Sequence, residues 1–152
     1  MSSPFWGELF MRAIGKRFVQ AALAIGGSAV MVAAVAGTAS AATPRNGVCE
    51  VGEFCLYWGA NLSGSVSDFN GSVSNYGDSQ PTCYDFKGPG TGQGQCVKNN
   101  AVSAWNRTTA NQVTVYFNSG WGGISDTYLP GESGNLIAAM QNQNASHKFV
   151  HI

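Results

Sequence analysis

The chain has 152 residues, 8 basic and 8 acidic side chains, a formal net charge of zero and only 11% charged residues. Such a balance gives no electrostatic footprint for nucleic acid or an anionic membrane surface. The length accommodates one domain and no more.

Arg12, Lys16 and Arg17 form a basic region ahead of an apolar stretch, Val19 to Ala36. Ala39-Ser40-Ala41 then supplies small residues where a signal peptidase reads. Residues 1–41 are therefore read as a secretory signal peptide. A retained anchor fits less well: the run is short, rich in Gly and Ala, and followed by a cleavage site rather than basic residues. Met11 heads a more ordinary signal than Met1, so translation is expected to start there. Residues 42–46 read as a short linker and 47–152 as one secreted domain, free of the membrane once the signal is removed. The mature chain keeps Arg45, Lys87, Lys98, Arg107 and Lys148 against Glu50, Glu53, Asp68, Asp78, Asp85, Asp126 and Glu132, a formal balance of −2.

Four cysteines, Cys49, Cys55, Cys83 and Cys96, lie in this domain. An even count in a short secreted chain implies two bridges, with three connectivities open. The short spacing of Cys49 and Cys55 suits a local bridge beside a turn, leaving Cys83 to pair with Cys96. Zinc is the rival use, but the chain has no CxxC and both histidines lie at the far C-terminus.

After residue 42 helical periodicity is nearly absent. Phe54-Cys55-Leu56-Tyr57-Trp58 is the first strand candidate. Val113-Thr114-Val115-Tyr116-Phe117 is the clearest, with Val113, Val115 and Phe117 on one face. Leu136 to Met140 fits a buried strand or one helical turn. Short strands between Gly, Asn, Ser and Asp clusters predict an all-β antiparallel sandwich.

The chain also repeats itself. Tyr57-Trp58-Gly59-Ala60-Asn61-Leu62-Ser63-Gly64 is matched by Tyr116-Phe117-Asn118-Ser119-Gly120-Trp121-Gly122-Gly123. In each, an aromatic is followed five residues later by a large apolar residue and two later by Gly. Phe69 and Tyr128 follow five residues beyond the glycines. Each half closes on an Asn-rich stretch, Asn99 to Ala104 and Asn142 to His147. A tight reversal needs Gly at positive φ, and the two apolar residues can fold over the turn as a lid.

Between Cys83 and Cys96 lies Tyr84-Asp85-Phe86-Lys87-Gly88-Pro89-Gly90-Thr91-Gly92-Gln93-Gly94-Gln95. A bridge across it either tidies a long surface loop or presents a few residues rigidly to a partner. The glycine-rich tip is expected to be flexible, and the side chains of Tyr84 and Phe86 to contribute little to the core.

The octapeptides resemble the Greek-key motif of βγ-crystallins. The order Cys49-x5-Cys55-Leu-Tyr, Lys87-Gly88-Pro89-Gly90, Asn99-Asn100-Ala101 and Val115-Tyr116-Phe117-Asn118-Ser119-Gly120 resembles secreted actinobacterial proteins of peptidase inhibitor family I36. The likeness spans residues 47–149, and the family includes the metalloproteinase inhibitors of Streptomyces. It implies a single βγ-crystallin-like domain of two Greek keys. It also implies a monomer that inhibits a secreted, thermolysin-like metalloprotease through a disulfide-constrained loop. Tyr84, Asp85, Phe86 and Lys87 are the candidate contacts, because such a protease requires a large apolar side chain next to the scissile bond.

The alternative is a non-inhibitory structural module, or one that binds calcium weakly. The resemblance offers Asn99, Asn100 and Ser103 as calcium ligands, with Ala104 where a Ser is usual. In the second copy Asn142 and Ser146 match, while Gln143 and His147 depart. Without a carboxylate, such a set binds calcium weakly at best, and no other cofactor is implied. An enzyme finds no support: Glu50, Glu53, Asp68 and Asp126 are scattered, and His147 and His151 are expected to be exposed. Trp58, Tyr76, Trp105, Trp121 and Tyr128 could line a sugar site, although core packing explains them more simply.

Overall fold

The computed structural model describes residues 41–152. The signal read over residues 1–41 thus lies, except for Ala41, outside the described residues. Among the described residues seven strands are formed: β1 (Phe54–Tyr57), β2 (Val66–Phe69), β3 (Ser103–Asn106), β4 (Asn111–Asn118), β5 (Gly122–Tyr128), β6 (Ser133–Asn135) and β7 (Ser146–His151). The all-β expectation holds, and both strand candidates fall on strands, β1 and β4.

The strands build two antiparallel sheets, in the orders β2-β1-β3-β6 and β5-β4-β7. The first repeat supplies β1, β2 and β3; the second supplies β4 to β7. Yet β6 pairs with β3, in the sheet of the first repeat. Reciprocally, Val73 of the first repeat bridges His147 on β7. Each repeat thus lends its third extended segment to the other's sheet, so neither can complete its sheet alone.

Alternation along the strands fills the space between the sheets. Phe54 and Leu56 of β1, Phe69 of β2, Ala104 of β3, Val113 and Val115 of β4 and Tyr128 of β5 form the core with Leu136 and Met140. The segment Leu136 to Met140, left open between strand and helical turn, is a turn. Only its two ends are buried, and the amides of Met140 and Gln141 both donate to the Ile137 carbonyl.

The two octapeptides fold alike. Leu62 and Trp121 both take left-handed backbone, at φ 59° and 63°, and so do Gly64 and Gly123, at 74° and 81°. A Cβ on Gly64 would sit 3.2 Å from the Trp58 Cβ, and one on Gly123 would sit 3.3 Å from the Phe117 Cβ. Each hairpin is pinned by a buried serine from the end of its own repeat. Ser103 Oγ donates to the Gly59 carbonyl at 2.6 Å and accepts from the Leu62 amide at 3.0 Å. Ser146 Oγ donates to the Asn118 carbonyl at 2.7 Å and accepts from the Trp121 amide at 3.2 Å.

Candidate functional site

The structure joins Cys49 to Cys55 and Cys83 to Cys96. Beyond the second bridge the two arms run antiparallel. Asp85 bridges Cys96, the Phe86 amide donates to the Gln95 carbonyl at 2.9 Å, and the Gly94 amide returns to Phe86 at 2.8 Å. At the base, the Tyr84 amide donates to the Tyr76 carbonyl at 2.7 Å, and the Val97 amide donates to the Tyr84 carbonyl at 2.8 Å.

The tip is held down rather than free. The Lys87 and Gly88 amides both donate to the Val66 carbonyl at 2.9 Å, and the Ser65 amide donates to Thr91 at 2.9 Å. The loop therefore covers the outer edge of β2. At Gly92, with φ +91°, a Cβ would lie 2.2 Å from the Trp58 ring, so only glycine lets the chain lie on that indole. This corrects the expected flexibility: the glycines serve close packing and tight turns.

Phe86 is also corrected. Its ring is fully buried in the main core, edge-on to Trp58 with centroids 5.6 Å apart. The inward turn of Phe86 leaves Tyr84 as the aromatic side chain that the loop shows to solvent, 38% exposed. Asp85 is ion-paired with Lys87 at 2.9 Å and with Arg45 at 3.3 Å. The four candidate contacts thus divide into one core residue, one exposed ring and two members of a charge cluster.

Sequence reasoning missed Arg45, which it placed in a linker. Its guanidinium lies 4.7 Å from the Phe69 ring centre and 5.3 Å from that of Tyr84. It donates to Ser67 Oγ, to the Asp68 carbonyl at 3.3 Å and to the Asp85 carbonyl at 2.5 Å. Burial lowers its pKa, and the nearby Asp68 and Asp85 charges oppose that shift. The buried Asp68 carboxylate accepts the Asn46 and Gly47 amides at 2.9 and 2.8 Å. Residues 45–47 are therefore strapped across β2. No local signal marks Arg45, because its side-chain partners lie 22 to 40 positions away.

Two hollows flank Tyr84. One of about 300 Å³ is lined by Arg45, Thr82, Cys83, Tyr84, Asp85 and Lys87. The other, of about 250 Å³, lies among Arg45, Phe69, Ser72, Val73 and Tyr84. The ring of Tyr84 is a ridge between them, with Arg45 at its foot.

The remaining sequence candidates are dispersed. Asn99 is exposed, with φ 60°, and the Asn100 amide group donates to the Cys96 and Lys98 carbonyls. Ser103 Oγ is committed to its hairpin, as described above. A calcium ion would find there no carboxylate and a serine already spent, so these residues do not fit a strong site. Among the described residues no cluster of three His, Cys, Asp or Glu side chains could hold a metal. The aromatic set does not converge: Tyr76 and Tyr128 are core residues, Trp58 and Trp105 are half-buried, and Trp121 is exposed.

His147 is buried, contrary to its expected exposure; His151 is exposed. The Nε2 of His147 lies 2.8 Å from the Gly71 carbonyl, which can only accept, so Nε2 carries the proton. Nδ1 then accepts from the Tyr76 hydroxyl at 2.8 Å. Burial pushes the imidazole pKa down to about 4. His147 therefore ties the third segment of the first repeat to the second as a neutral ring, and it faces no open site.

Two sheets that exchange their third segments, with a pinned hairpin in each half, define a βγ-crystallin-type domain. A solved structure described as "Evolution of the eye lens beta-gamma-crystallin domain fold" matches 74% of this chain and 95% of its own, with TM-score 0.50 and 10% identity. A βγ-crystallin domain from Flavobacterium johnsoniae matches 64% and 93%, with TM-score 0.47 and 14% identity. No curated protein matches the sequence. Within this fold, residues 42–128 match peptidase inhibitor family I36, and the chain belongs to that family. It is a non-enzymatic protein of peptidase-inhibitor type.

Proposed function

We propose that the chain is a secreted, monomeric inhibitor of extracellular, thermolysin-like metalloproteases, and that it meets the protease with the Tyr84 ridge of the loop between Cys83 and Cys96. The observation that supports this is the loop's preorganisation. A bridge at its base, an antiparallel pair of arms and a tip bonded to β2 fix its shape, which lowers the ordering cost of association. A protease subsite that takes a large apolar side chain is matched by a ring standing between two hollows.

The backbone narrows the mode of binding. Both the amide and the carbonyl of Tyr84 already bond within the domain, to Tyr76 and Val97. The peptide bond after Cys83 is therefore not free to lie extended in an active site. Inhibition is by insertion of the Tyr84 side chain and steric cover, with Lys87 and Asp85 at the rim. No cofactor takes part.

The test is titration of thermolysin-like and serine proteases with the oxidised mature domain. Stoichiometric loss of metalloprotease activity is expected, without cleavage at Cys83–Tyr84 on long incubation. Tyr84→Gly should weaken inhibition at least tenfold while the melting temperature stays near that of the parent. Joint substitution of Cys83 and Cys96 by Ser should weaken it as well. If the parent inhibits no metalloprotease, the non-inhibitory structural module takes its place. The leader is tested separately: secreted material should begin at Ala42 or within two residues of it.

A further inference from the structure

We infer that Arg45 is the positioning residue of the Tyr84 ridge, and that residues 45–47 form a strap which holds the first arm of the stapled loop in its presented shape. The inference rests on the reading of Tyr84 given above, and adds what sets the orientation of that ring. The disulfide closes the loop at its base but does not orient Tyr84, whose ring lies outside the core. The strap lies against that ring.

Four hydrogen bonds and two ring contacts make Arg45 more than a surface charge. The guanidinium reaches the Asp85 carbonyl and carboxylate from one nitrogen and Ser67 and the Asp68 carbonyl from the other. It thereby bridges the loop arm to β2. Its Cζ lies 4.7 Å from the Phe69 ring centre and 5.3 Å from that of Tyr84, and the two rings are themselves 5.7 Å apart, so cation and both rings meet as a triangle that seats the exposed ring on the domain body. Ser67 Oγ also donates to the Asp85 carbonyl at 2.9 Å, so that carbonyl is held by two donors from the domain body. The strap in turn is fixed by the buried Asp68, and Gly47 packs so closely on Lys87 and Gly88 that a Cβ would meet the Gly88 nitrogen at 2.6 Å. A planar, five-donor fork can make this set of contacts, whereas an ammonium cannot.

The test compares Arg45→Ala, Arg45→Lys and Arg107→Ala in the full oxidised domain. Arg107 is a matched control: it also stacks on an aromatic, Trp105 at 4.5 Å, and donates to a carbonyl, but at Cys49, away from the loop. Amide exchange at Phe86, Lys87 and Gly88 should quicken at least tenfold in Arg45→Ala, with Val113 and Val115 in β4 unchanged. Inhibition should weaken at least tenfold. Arg45→Lys should stay close to the alanine variant. Millimolar guanidinium, far below denaturing concentrations, should restore loop protection to Arg45→Ala. Arg107→Ala should leave loop exchange and inhibition within twofold of the parent.

Unchanged loop exchange in Arg45→Ala, or a uniform rise across β4 as well, overturns the inference, as does full recovery by lysine. If the parent inhibits nothing, the reading of Tyr84 fails. The exchange comparison then still decides whether Arg45 orders the loop.

Discussion

The two repeats share a hairpin and differ in how they return from it. In the second, the path from β6 to β7 is a compact turn, with Leu136 and Met140 buried at its ends. In the first, the path from Val73 to β3 is much longer and holds the stapled loop. The shared parts, namely Leu62 with Trp121, Gly64 with Gly123 and Ser103 with Ser146, are the scaffold. The difference is where a binding surface is carried. Yet the longer connection is not an appendage, since it places Phe86 and Val97 in the common core. An insertion that supplies core residues is rigid because unfolding it would open the core.

The strongest way to break this comparison is to treat the loop as dispensable. Phe86→Ala should destabilise the domain by about 3–5 kcal/mol, the usual cost of emptying a buried aromatic site. Urea unfolding would show it as a lower midpoint at constant slope. A loss under 1 kcal/mol would make the loop an independent appendage after all.

Acid should break the exchange between the halves next. His147 is neutral in the fold, with its pKa pushed down to about 4 from an ordinary 6.5. A proton therefore favours the unfolded chain. This contribution is complete above about pH 6.5 and is lost progressively as pH falls to about 4, by roughly 3 kcal/mol in all. Burial raises the pKa of Glu53, which acts in the opposite sense, because its fold favours the protonated acid. Stability measured from pH 7 to pH 4 in the parent and in His147→Gln should show the acid-dependent loss in the parent and a shallower one in the variant. Identical slopes would remove His147 from the account.

The two hairpin serines sharpen the equivalence of the repeats. Ser103→Ala and Ser146→Ala should each cost about 1–3 kcal/mol, because each removes an acceptor from a hairpin amide and a donor from a part-buried hairpin hydrogen bond. The expectation is that the two costs agree within about 0.5 kcal/mol. A large difference would show that the sequence repeat is not matched by an energetic one.

Calcium should have the smallest effect. Millimolar calcium is expected to stabilise the domain by under about 1 kcal/mol, as for a ligand near its dissociation constant. Calorimetric titration with micromolar affinity would show that Asn99, Asn100 and Ser103 can be drawn out of their present roles.

Much of the fold was legible because it depends on local order. Alternation placed β1 and β4, and the octapeptides marked both hairpins through a glycine requirement set by backbone sterics. Cysteine spacing indicated two bridges. The site was legible only as a segment. Composition suggested a flexible tip, since glycine loses the most freedom on ordering, but the tip packs on Trp58 and β2 and stays ordered.

By itself the sequence determined that the chain is all-β, repeated and twice stapled, because period, turn chemistry and spacing are properties of neighbouring residues. Only the tertiary structure decided which side chains face out. Phe86 turns inward and Tyr84 outward although residues two apart on a regular strand share a face; the arm is no regular strand there, and its backbone bonds to Tyr76, Gln95 and Val66 decide which ring enters the core. Arg45 entered the site, and His147 the core, for the same reason. Their partners are far away along the chain and adjacent only once the two repeats have exchanged their third segments.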